Sequence, residues 1–90
     1  MLNIPIEKGE VRRFQFEARS NIPNEQLVIA SATWSLLQNG EVTASGIGEV
    51  DRRTISVLVP FENDGIFTLE LTVEIPPEII KERIDLQVVK

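Results

Sequence analysis

From Gly65 to Ile75 the chain repeats with a period of two. Phe67, Leu69, Leu71, Val73 and Ile75 alternate with Ile66, Thr68, Glu70, Thr72 and Glu74. A chain that presents apolar groups at every second position is an extended strand with one face on a core and the other on water. No helix can use that period. The same rhythm recurs along most of the sequence, and it dictates an all-β fold.

Val11 to Ala18 sets Phe14, Phe16 and Ala18 on one face, against Arg13, Gln15 and Glu17 on the other. Arg12 shares the phenylalanine parity but stands at the strand entry, within reach of solvent. Asn21-Ile22-Pro23-Asn24 reads as a loop. Leu27 to Leu37 alternates again, with Val28, Ala30, Ala32, Trp34 and Leu36 expected to face inward. Asn39-Gly40 follows. Both residues tolerate φ > 0, so the pair predicts a type I′ turn and a hairpin anchored by Trp34. Glu41 to Val50 is expected to be one strand, in which Gly46 and Gly48 signal a bulge or a close backbone approach.

Asp51-Arg52 makes the next turn, and Thr54 to Phe61 puts Ile55, Val57, Val59 and Phe61 on one side. Glu62-Asn63-Asp64-Gly65 is another turn signal. Pro76-Pro77 ends the Gly65–Ile75 strand. Beyond it, residues 77–83 fit either a short helix with proline in its first turn or the start of a closing strand. The alternation of Ile84, Leu86 and Val88 favours a strand from about Ile79 to Val89.

Six to seven strands about ten residues apart, joined by short turns, predict an antiparallel β-sandwich of immunoglobulin type. Parallel pairing would need crossovers of a dozen or more residues, and the connections are shorter than that. Ninety residues make one domain. Residues 1–10, with Pro5 and Gly9 and no clear period, read as an N-terminal arm whose Ile4 and Ile6 pair at a sheet edge. Residues 11–90 are the sandwich.

Composition narrows the chemistry. The chain has no cysteine, histidine or tyrosine, so thiolate or imidazole metal sites and a Ser-His-Asp triad are excluded. A net charge of −5 disfavours nonspecific nucleic-acid binding. The N-terminus has no basic, then apolar, signal-peptide pattern, and no apolar run approaches a bilayer span. The expectation is a soluble protein used without export, with no cofactor, metal or small-molecule substrate.

Trp34 suits a core position better than a stacking platform, because its parity points inward. Glu70 and Glu74 share an outward strand face, where pairing with Lys81 and Arg83 fits better than glycoside hydrolysis. Two basic pairs, Arg12-Arg13 and Arg52-Arg53, stand in an acidic chain; they suit an acidic partner, or they discourage edge-to-edge association. With Ile4 and Ile6 they are the candidate partner-binding residues.

Three stretches carry a family likeness: Ser31-Ala32-Thr33-Trp34-Ser35 with Val42-Thr43-Ala44-Ser45-Gly46, Gly65-Ile66-Phe67-Thr68-Leu69, and Arg83-Ile84-Asp85-Leu86-Gln87-Val88. Over roughly residues 27–90 the chain resembles the small proteins of tailed-phage and prophage virion modules known as phage fiber-tail adaptors. It departs from them in having Phe67 where tyrosine is usual, Pro76-Pro77 in place of a Gly- or Asp-containing turn, and a shorter leading arm. The resemblance implies a non-enzymatic structural or adaptor protein of the virion, assembled in the bacterial host cytoplasm. Its partners would be other virion or tail subunits, or further copies of itself. The rival expectation is a carbohydrate-binding or general protein-interaction sandwich.

Overall fold

The computed structural model describes residues 2–19 and 28–90, with side chains from Pro5 onward. The expected loop at Asn21–Asn24 and the expected strand start at Leu27 lie outside the described residues. Eight strands follow in order: β1 (Leu2–Glu7), β2 (Val11–Glu17), β3 (Ser31–Gln38), β4 (Glu41–Ile47), β5 (Glu49–Asp51), β6 (Thr54–Pro60), β7 (Gly65–Ile75) and β8 (Glu78–Val89). They form a five-stranded sheet, β1-β8-β7-β3-β4, and a three-stranded sheet, β2-β6-β5, in a sandwich-like arrangement.

The period of two becomes packing. Phe67, Leu69, Leu71 and Val73 of β7, with Leu86 and Val88 of β8, meet Phe14 of β2 and Ile55, Val57 and Val59 of β6 in one buried cluster. Trp34 and Leu36 of β3 join it. Phe61, just past β6, stands edge-to-face with Phe14 and Phe67 at centroid distances of 6.3 and 6.1 Å, a favoured aromatic geometry.

Asn39-Gly40 forms the expected hairpin turn, with φ of 55° and 80°, and Gln38 pairs with Glu41 across it. The β7–β8 hairpin turns on Pro76-Pro77, joined by a cis peptide bond, with Ile75 opposite Glu78. Residues 77–83 contain no helix; Glu78 onward is strand.

Four expectations need correction. The described residues hold eight strands rather than six to seven, because the leading segment is itself a strand and the stretch from Glu41 to Val50 divides. It divides at Gly48, where the chain leaves the large sheet (Ile47 opposite Thr33) and enters the small one (Glu49 opposite Ser56). A Cβ on Gly48 would stand 3.1–3.3 Å from Ile55, Ala32 and Val57, so only a glycine passes there unhindered. The strand before Trp34 starts at Ser31, leaving Val28 and Ala30 outside the sheet and exposed.

The last correction concerns direction. β1 pairs with β8 in parallel, Leu2 opposite Leu86 and Ile6 opposite Val88. The crossover rule constrains strands joined by a short link. β1 and β8 are the first and last strands, and the whole sandwich is the connection between them.

Candidate interaction edges

The residues expected to bind a partner do not come together. Ile6 is 0% exposed and belongs to the core, out of a partner's reach. Ile4 lies in β1 by its backbone, and its side chain is outside what is described. Arg12 is half-buried, with Nη1 3.4 Å from Glu10 Oε1. Arg13 is exposed on the other face of β2, with Leu58 its cross-strand partner. Arg52, at φ 58°, and Arg53 form the β5–β6 turn at the far end of the small sheet, where the Ala18 amide donates to the Arg53 carbonyl at 2.8 Å. The four arginines are thus divided between the two ends of β2, and no single basic patch results.

The outward acids are spent locally. Arg83 Nε donates to Glu70 Oε2 at 2.8 Å, and Lys81 Nζ lies 3.8 Å from Glu70 Oε1. Thr68 donates to Asp85 in the next row at 3.0 Å. Glu74 lies opposite Ile79 and does not share this network. Among the described residues no group of three or more carboxylates is placed to hold a metal ion.

What distinguishes one part of the surface is the character of its sheet edges. A free edge invites another strand, and charged or bulged residues discourage it. β1 covers β8 only from Leu86 onward, and the uncovered stretch before it carries Glu78, Lys81, Glu82, Arg83 and Asp85. β2 carries Arg12, Arg13 and Glu17. β5 is three residues long, two of them acidic, with Arg52-Arg53 following. β4 differs. After Glu41 it reads Val42-Thr43-Ala44-Ser45-Gly46-Ile47, with Val42 60% and Ile47 83% exposed. Its one irregularity is a bulge at Thr43, whose hydroxyl donates to the Leu36 carbonyl at 3.1 Å.

Beside β4 lies a feature the sequence did not reveal. Because the chain changes sheets at Gly48, β5 pairs with β6 only over Thr54–Ser56, and the Gly48 amide donates to the Ala32 carbonyl at 2.8 Å instead. Val57–Pro60 is therefore paired with β2 on one side and with no strand on the other. A notch of about 180 Å³ opens at this gap, reaching from Gly46 and Ile47 of β4 to Leu58 of β6. Trp34 lines it from the core side. The only legible signal for this gap was the Gly46, Gly48 pair. No family model matches the chain, and no curated protein or solved structure matches it.

Proposed function

We propose that this chain is a non-enzymatic, immunoglobulin-like interaction module that works by protein–protein assembly at its sheet edges, as a structural or adaptor subunit of a phage or prophage particle. The immunoglobulin-like part of the reading is supported by a parallel pair of first and last strands, a β2-β6-β5 sheet facing a β8-β7-β3-β4 sheet, and a buried tryptophan on the third strand. The phage setting is supported by the sequence likeness of residues 27–90 alone.

The observation that carries the mode of action is the β4 edge, uncharged from Val42 to Ile47 where the β2, β5 and uncovered β8 edges carry charged residues. Main-chain groups there offer hydrogen bonds to an added strand, and Val42 and Ile47 supply apolar contact. The carbohydrate-binding rival needs aromatic rings exposed on a face. Trp34, Phe14, Phe61 and Phe67 are buried and Phe16 is half-buried, so that platform is missing.

A photo-reactive residue installed at Val42, in the cell that makes the protein, tests the reading. We expect covalent adducts to one defined protein, a virion or tail subunit in the phage setting. An absence of protein adducts together with binding on a glycan array would overturn it.

A further inference from the structure

We propose that the gap between β4 and β6 is an anchoring pocket for an acidic extended peptide, which adds as a strand beside Val57–Val59 and sets a carboxylate against Arg13 and the Trp34 indole N–H. The proposal rests on the interaction reading above and names its site.

On the main chain, the pairing of β6 is interrupted. β6 runs to Pro60, while its β5 partner ends at Glu49 opposite Ser56. The main-chain groups of the odd-numbered residues of β6 face β2, so the Leu58 N–H and C=O and the Pro60 C=O are the ones left for an added strand.

Beside that edge lies the notch. Its floor is Trp34, 6% exposed. The indole Nε1 has no acceptor among the described residues, yet no side-chain nitrogen or oxygen there is both buried and without a partner. The N–H therefore reaches solvent, and the opening that borders both Trp34 and Gly46 is this notch. Glycine at 46 keeps it open, since a Cβ there would stand 2.8 Å from Nε1. On the rim, the Arg13 guanidinium has no carboxylate partner among the described residues, whereas Arg12, Arg19 and Arg83 each have a glutamate.

Indole N–H and guanidinium are donors only. Two unspent donors beside apolar walls match a carboxylate carried between apolar neighbours on an extended strand. Charge fixes its placement: Glu49 stands on the β5 rim and repels a carboxylate there, so the acid sits over Arg13.

The test uses the full chain labelled with nitrogen-15, in which the single tryptophan gives one indole N–H resonance. The probes are capped octapeptides of alternating threonine and valine with one central aspartate, asparagine or lysine. The aspartate peptide should move the Trp34 indole resonance and slow exchange of the Leu58 amide, the N–H that faces the gap, since those of Val57 and Val59 face β2. The lysine peptide should bind about tenfold more weakly, a difference of about one charge-assisted hydrogen bond. Arg13→Glu, an exposed change, should reverse that order. Equal binding of the aspartate and lysine peptides, or an unmoved indole resonance, overturns the proposal. Shifts confined to the amides of Val42–Ile47 also overturn this pocket, while leaving the wider interaction reading to stand on β4.

Discussion

Trp34 rests on Gly46, and the contact depends on one extra residue in β4. The Asn39-Gly40 turn pairs Gln38 with Glu41 and Leu37 with Val42, a register that would carry Trp34 opposite Ser45. The bulge at Thr43 shifts the pairing by one, so that Gly46 stands under the indole instead. Adding a methyl there forces a rigid ring to move. Gly46→Ala should therefore destabilise by about 1–3 kcal/mol, the usual cost of overpacking, as read by urea denaturation. Gly40→Ala should cost about 1–2 kcal/mol for another reason: nothing lies within 4 Å, but φ is +80°. Trp34→Ala should cost about 3–5 kcal/mol, a large fraction of a small domain's stability, and an unchanged melting temperature would refute the core placement. The inward face of Trp34 was legible from parity. Its glycine partner was not, because a bulge leaves no mark in a run of small and β-branched residues.

Among the elements, β1 departs most from the arm the sequence suggested, although Ile6 does pair at a sheet edge as expected. Pro5 and Gly9 interrupt any period there, and the pairing itself is irregular between Leu2 and Ile6. Proline is tolerated because β1 is an edge strand and need not donate from every residue. Its partner, β8, is the far end of the chain, so no local pattern announces the pair. Ile6 nonetheless fills the core completely. Ile6→Ala should cost about 2–5 kcal/mol, and removal of residues 1–7 should lower the melting temperature rather than leave a stable domain. A truncated chain that melts with the intact one would show that β1 is an accessory arm after all. The β7–β8 hairpin is the opposite case: the alternation of β7 and of Ile84, Leu86 and Val88 is local and strong, and both strands start and stop within a residue or two of where the sequence puts them.

At the scale of the whole molecule, a five-stranded sheet faces a three-stranded one, so the two sheets cannot cover each other's edges. The molecule is elongated, 45 × 22 × 20 Å, and its long sides are strand edges. Charge patterning along those edges was readable in the sequence; which strands would become edges was not, since that depends on the crossing at Gly48. Placing lysine on the β4 edge should turn it into a guarded one. Val42 and Ile47 are exposed, so the double variant Val42→Lys with Ile47→Lys should change stability by no more than about 0.5 kcal/mol per site. It should also abolish the cross-links formed through β4, because an added strand would have to desolvate two ammonium groups. Ile47 lines the notch, so the single variant Val42→Lys, which leaves every notch residue in place, is the one in which binding of the aspartate peptide at the β6 gap should persist. Loss of both activities at once would mean that β4 and the gap form one continuous surface, and retention of the β4 cross-links would mean that the partner reaches the domain by another edge.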